Sequence, residues 1–134
     1  MKHRVLNVLL ADNDRQLSFV VSTILRGWGH TVAVADGGEE AIRIFTLKPD
    51  FFDVLITDHN MPPVSGLELV QHLRKNGVRA KIIVISSTLT NELMTAYRDK
   101  HVDKILQKPF MLENLSFTLD DVLTQWNGAA SASM

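Results

Sequence analysis

Short apolar runs alternate with amphipathic stretches along the whole chain. The runs are VLNVLLA (5–11), TVAVA (31–35), DVLIT (53–57), KIIVIS (81–86) and KILQ (104–107). Each is rich in aliphatic or β-branched residues, too short for a helix, and bounded by polar or turn-forming residues, which predicts five strands. Most are apolar on both faces, the pattern of strands buried between two helical layers. Between them lie helix patterns. Leu17, Val20, Val21, Ile24, Leu25 and Trp28 recur at three- and four-residue steps, with Asp14 as the N-cap and Gly27 and Gly29 as stops. In DGGEEAIRIFTLKP (36–49), Asp36 stands three residues before Glu39, a capping-box signal, and Pro49 ends the pattern. SGLELVQHLRKNG (65–77) repeats that arrangement with Ser65 and Glu68 and closes at Asn76-Gly77. TNELMTAYRDKH (90–101) is a shorter, weaker helix, and the last helix carries Leu112, Leu115, Leu119, Val122 and Trp126 on one face. Trp28 and Trp126, on apolar stripes, read as core side chains. The small, polar NGAASASM over 127–134 reads as a flexible C-terminal tail.

Strict alternation of strand and helix implies a parallel sheet covered on both faces. With no internal repeat and no linker, residues 1–126 form one doubly wound α/β domain, and a chain of 134 residues can bury a sufficient core unaided. Such sheets bind ligands beyond the carboxyl ends of their strands, so the strand ends are the residues to read for chemistry.

Composition narrows the picture by exclusion. There is no cysteine, hence no disulfide and no thiolate metal site. The net charge is -1 with both signs interspersed, so no basic face marks nucleic acid as a direct partner. The apolar run near the N-terminus is too short for a signal-peptide core and is broken by Asn7; no stretch approaches the length that spans a bilayer. A soluble, cytoplasmic domain with no membrane association is the expectation. Glycine-rich phosphate loops are missing, which disfavours kinases, dinucleotide enzymes and P-loop proteins.

The strand ends carry Asp12-Asn13-Asp14, Asp58-His59-Asn60 before Pro62-Pro63, Ser86-Ser87-Thr88, and Lys108-Pro109-Phe110. Any one of these is ordinary turn, cap or surface chemistry. Brought to one rim, two acidic strand ends repel each other unless they share a hard divalent cation. A lysine and a hydroxyl beside them supply a point charge and a hydrogen bond for an oxyanion. That combination suits phosphoryl transfer. The five histidines form no metal-spaced cluster, and His59 reads as a loop residue beside the acid.

In order and at the right strand ends, LLADND, LITDHNMPPVSG, VISS and QKPF resemble the receiver domain of two-component response regulators, the chemotaxis-type phosphoacceptor family. The resemblance runs from Val5 to about Trp126 and implies a flavodoxin-like (βα)5 fold with a five-stranded parallel sheet. It implies that Asp58 accepts a phosphoryl group from a sensor histidine kinase or phosphotransfer protein in a Mg²⁺-dependent reaction. Asp12, through the acidic pair ending strand one, Asp58 itself and the backbone carbonyl of Asn60 would hold Mg²⁺. Ser86 would be the phosphoryl-sensing hydroxyl and Lys108 the phosphate partner, after a cis Lys108-Pro109 bond. The protein would be no enzyme beyond self-phosphorylation from small donors and self-dephosphorylation. It would signal to an unknown downstream protein through the fourth helix, fifth strand and fifth helix. No length remains for an output domain, leaving a stand-alone regulator or a piece of a longer one.

Three positions depart from the family pattern. Asn13 stands where a second acid is usual; its amide oxygen can still be a metal ligand, with one negative charge fewer. Ile105 replaces the aromatic often found three residues before the lysine, and Ser87 replaces a common Ala. A degenerate receiver that docks proteins without phosphate is therefore the competing expectation. LLADND also looks like the Asp-x-Asp of haloacid dehalogenase-type phosphatases, with Asp12 as nucleophile. Arg15-Gln16 lacks that family's following hydroxyl or β-branched residue, and Asp120-Asp121 lies inside a helix pattern rather than at a strand end.

Overall fold

The computed structural model describes residues 4–132, in which strands and helices alternate throughout. They are β1 (Asn7–Ala11), α1 (Arg15–Gly27), β2 (Thr31–Ala35), α2 (Gly38–Leu47), β3 (Val54–Asp58), α3 (Gly66–Lys75), β4 (Lys81–Ser86), α4 (Asn91–Asp99), β5 (Lys104–Gln107) and α5 (Leu112–Ala132). All five strands are parallel in the order β2-β1-β3-β4-β5, the flavodoxin-like doubly wound arrangement.

Side-chain alternation divides the core into two layers. Leu9, Ala11, Leu55, Ile82 and Val84 face a cluster with Phe45, Leu69, Leu73 and Tyr97 from α2, α3 and α4. Their neighbours Val8, Leu10, Ile56, Ile83 and Ile85 face Val21, Leu25, Leu115 and Leu119 from α1 and α5. Because β3 is buried along its whole length, each aliphatic residue on either face contributes about 1.5–3 kcal/mol by leaving water. This is why the strands read as continuous apolar runs.

Two helix starts follow the local signals. Asp14 Oδ1 accepts the N–H groups of Gln16 and Leu17, both at 3.1 Å. Ser65 and Glu68 form the reciprocal capping box. The Asp36–Glu39 box does not form. The helix starts one residue later, with Gly37 as N-cap, so Glu40 occupies the third helical position and accepts the Asp36 N–H at 2.6 Å. A close approach accompanies that shift: a Cβ on Gly38 would lie 2.6 Å from the Val64 side chain.

The buried face of α1 also differs from its apolar stripe. Ser18, Val21, Ser22 and Leu25 are buried, whereas Val20 and Phe19 are exposed and Trp28, expected in the core, is 39% exposed at the C-cap. The two serines bond back to the Arg15 and Phe19 carbonyls, and their small size lets α1 lie close to the sheet. That rotation leaves Leu17, Val20 and Ile24 facing Pro109, Phe110 and Leu112 across an apolar groove of about 460 Å³. Trp126 lies outside the described side chains. The backbone of α5 continues helically past it to Ala132, over part of the stretch read as a tail, and alanines at 129, 130 and 132 favour that conformation. Residues 133 and 134 lie outside the described residues. Among the described residues, no helix is long and apolar enough to cross a membrane.

Arg74 ties three segments together. Its guanidinium donates to the carbonyls of Val78 (2.8 Å), Ala80 (3.0 Å), Lys100 (3.2 Å) and His101 (2.9 Å), joining the end of α3 to the entry of β4 and the α4–β5 turn. Arg74→Met keeps the apolar stem but removes every donor. It should lower unfolding free energy by about 2–3 kcal/mol, the scale of losing charged hydrogen bonds from part-buried acceptors. Urea denaturation with an unchanged midpoint would contradict this role.

Candidate functional site

Register and alternation together build the site. Ala11 pairs with Thr57, so Asp12 and Asp58 leave neighbouring strands at the same level. Asp58 pairs with Ile85, and Ser86 with Gln107, which places Lys108 at the same rim. Asp58 shares its parity with Ile56, and Lys108 with Leu106, so both point toward the α1/α5 side. Ser86 shares its parity with Val84 and belongs to the opposite side.

The side chains meet accordingly. Lys108 Nζ lies 3.3 Å from Asp58 Oδ1 and 4.0 Å from Asp12 Oδ2. Asp58 Oδ1 also accepts the His59 N–H at 2.9 Å, and Asp12 Oδ1 accepts the Asp14 N–H at 2.9 Å. Both carboxyl groups are buried, at 2% exposure for Asp12 and 6% for Asp58. Burial, helped by the charge of Asp58, raises the pKa of Asp12 above the ordinary carboxyl value; the Asp14 N–H and Lys108 oppose that rise without cancelling it. One ammonium facing two carboxylates leaves a negative charge in excess.

An excess negative charge among oxygen donors fits a hard cation such as Mg²⁺. Among the described residues no three His, Cys, Asp or Glu side chains cluster as a metal site. A cation here would therefore draw its remaining ligands from amide or backbone oxygens and water. Asn13 and Asn60 stand exposed in the two loops that carry Asp12 and Asp58. Ser86 is buried, and its hydroxyl is engaged locally, donating to the Thr88 carbonyl at 2.7 Å and accepting the Thr88 N–H at 3.1 Å. The Lys108-Pro109 bond is cis, as is Pro62-Pro63. Gly66 closes the Asp58 loop: its N–H donates to the His59 carbonyl at 2.8 Å, and a Cβ there would sit 2.5 Å from the Asp58 carbonyl oxygen.

One pair escaped the sequence reading. His59 Nδ1 lies 2.6 Å from the hydroxyl of Tyr97, a fully buried residue of α4. The available signal was the chain's single tyrosine on an inward helical position, since a buried phenol needs a polar partner.

A family model for the response regulator receiver domain matches residues 8–120. The chain belongs to that family. It is 32% identical over 131 residues to a chemotaxis protein CheY homolog of Campylobacter jejuni, covering 95% of this chain and 99% of that one. The solved structure of chemotaxis protein CheY4 of Vibrio cholerae superposes with a TM-score of 0.81 at 29% identity, covering 89% of this chain and 99% of that one. The response regulator protein TrrA of Thermotoga maritima, solved in complex with Mg(2+)-BeF, shares the fold with a TM-score of 0.75 at 24% identity, covering 88% and 99%. The chain spans less than half the length of some other curated relatives it matches. Receiver membership sets aside the dehalogenase-type reading of LLADND, in which Asp14 instead caps α1. A receiver is a two-component signalling phosphoacceptor rather than a conventional enzyme.

The raised Asp12 pKa gives a signed stability prediction. The native state holds this proton more tightly than the unfolded state, so stability falls as pH rises from the ordinary carboxyl range through the folded pKa. Without divalent metal, Asp12→Asn should therefore melt a few degrees higher than wild type at neutral pH, and the gap should close near pH ~3. Melting curves in chelator at both pH values check it; a variant no more stable at neutral pH contradicts the charge-excess account.

Proposed function

We propose that Asp58 is the phosphoacceptor of this receiver, taking its phosphoryl group from a histidine kinase or phosphotransfer protein beside Mg²⁺. The observation that carries the reading is the placement of Lys108 Nζ against both buried carboxylates. A carboxylate oxygen of Asp58 attacks phosphorus, the bond from phosphorus to the donor nitrogen breaks, and an acyl phosphate forms. Lys108, already 3.3 Å from Asp58, is placed to balance charge on the incoming phosphoryl oxygens. Asp12, the Asn13 amide, Asp58 and the Asn60 backbone carbonyl would hold the metal. Bound Mg²⁺ would supply neutralisation of the phosphoryl oxygens and convert the excess negative charge of the rim into a positive one.

Ser86 fits the role of sensing hydroxyl, with a stated requirement: its Oγ must leave the Thr88 turn to reach an oxyanion at Asp58. We place the reaction in the cytoplasm and its output at an unidentified downstream protein. The competing reading, a docking module that works without phosphate, is favoured by Asn13, which removes a charge from the metal site, and by Ile105, an aliphatic residue packed against the α2–α4 core.

Incubation with acetyl phosphate and Mg²⁺ should add a single phosphoryl mass to wild type and none to Asp58→Asn, read by intact-protein mass spectrometry. No gain on wild type would favour the docking module. Asn13→Asp should tighten Mg²⁺ binding by about tenfold, the effect of roughly 1.4 kcal/mol from one added charge. A titration of Mg²⁺ followed by thermal stabilisation measures this, and equal affinity would remove Asn13 from the ligand set.

A further inference from the structure

We propose that Tyr97 is a positioning residue for the Asp58 loop, and that its hydrogen bond with His59 carries the state of Asp58 to α4. The proposal rests on Asp58 being the phosphoacceptor and adds a route by which its modification is read.

The route is continuous. Asp58 Oδ1 accepts the His59 N–H at 2.9 Å, and the ring of the same His59 meets the Tyr97 hydroxyl at 2.6 Å. Tyr97 is anchored in α4, fully buried, and packed in the core shared with α2 and α3. Its hydroxyl occupies a slot that exists because residue 66 is glycine: a Cβ there would lie 2.8 Å from that oxygen and 2.9 Å from the His59 Cα. Burial, and then the charge of Asp58, pushes the Tyr97 phenol well above its ordinary pKa, so it keeps its proton. A buried phenol is satisfied by a hydrogen-bond partner, and His59 Nδ1 is the one the structure gives it, the direction being set by the imidazole tautomer.

Phosphorylation changes the first link. Once one Asp58 oxygen is bonded to phosphorus, the carboxyl group loses its delocalised charge and the His59 N–H loses a charged acceptor. The charge moves outward onto the phosphoryl oxygens, toward Lys108. A backbone shift at His59 alters the reach to Tyr97, and Tyr97 cannot follow without moving α4, because it is packed on every side. On β5, Ile105 has no hydroxyl and no ring with which to read the site. The aromatic of α4, in the same core layer that Ile105 packs against, can supply this link instead.

The test uses Mg²⁺ with beryllofluoride as an acyl-phosphate mimic and amide NMR or hydrogen exchange as readout. In wild type, both the 59–66 loop and the amides of Asn91–Asp99 should respond. Tyr97→Phe keeps the ring and removes the hydroxyl. It should retain the loop response while the α4 response falls below about half of wild type. His59→Leu, which alters an incompletely buried loop side chain, should weaken the α4 response similarly, and the double variant should do no more than either single one. A full α4 response in Tyr97→Phe, or strictly additive losses, would overturn the coupling while leaving the phosphoacceptor reading intact. A wild-type loop that ignores saturating mimic would overturn both.

Discussion

Two buried carboxylates on neighbouring parallel strands share one ammonium, and the remainder of this structure can be understood as the means of holding them there. Like charges brought into low dielectric repel strongly and lose hydration at the same time. Lys108 relieves part of this, at 3.3 Å from Asp58 and 4.0 Å from Asp12. What is left over is a rim with stored electrostatic cost, relieved by a cation. The raised pKa of Asp12 has the same physical origin as its suitability for a metal.

Such a cost is sustainable only on a stiff base. The three strands that deliver Asp12, Asp58 and Ser86 are almost wholly buried, with aliphatic side chains on both faces locking their register. A slip of one residue would send Asp58 to the other side of the sheet and exchange the two cores. The parity that fixes the hydrophobic layers therefore fixes which side each functional group serves. Asp58 and Lys108 fall together toward α1 and α5, whereas Ser86 falls on the other face and begins with its hydroxyl tied to Thr88. With Asp58 as the proposed acceptor, a hydroxyl that must leave Thr88 to reach it would report the change of state.

The legible part of this molecule is the part determined by neighbours in sequence or by strand parity. The five strands, the Asp14 cap and the Ser65–Glu68 box follow from a few adjacent residues. The convergence of Asp12, Asp58 and Lys108 follows from strand alternation and the family pattern. Tertiary close approach decided the features that were missed. α2 starts one residue late where Gly38 lies under Val64, and α1 buries Ser18 and Ser22 where a hydropathy stripe would place its larger apolar neighbours. The His59–Tyr97 bond joins residues 38 positions apart and depends on the missing Cβ of Gly66, so no local pattern announces it.

Two of the three departures from the family pattern, Asn13 and Ile105, bear on separable steps. Asn13 lies beside Asp12 in the loop that would hold the cation, so under the proposed function its effect would be on charge: less attraction for Mg²⁺ and a smaller electrostatic drive for transfer. Ile105 lies on the rear of the site, packed into the α2–α4 core, and its effect would be on transmission. The structure supplies a polar connection on that rear side, through the Tyr97 phenol, whereas the Asp12 side has only a neutral amide in place of the second acid. A receiver built this way would be weakened in loading rather than in readout. Its phosphoryl occupancy would depend steeply on magnesium and donor supply, while each loaded molecule would still have a route by which to displace α4.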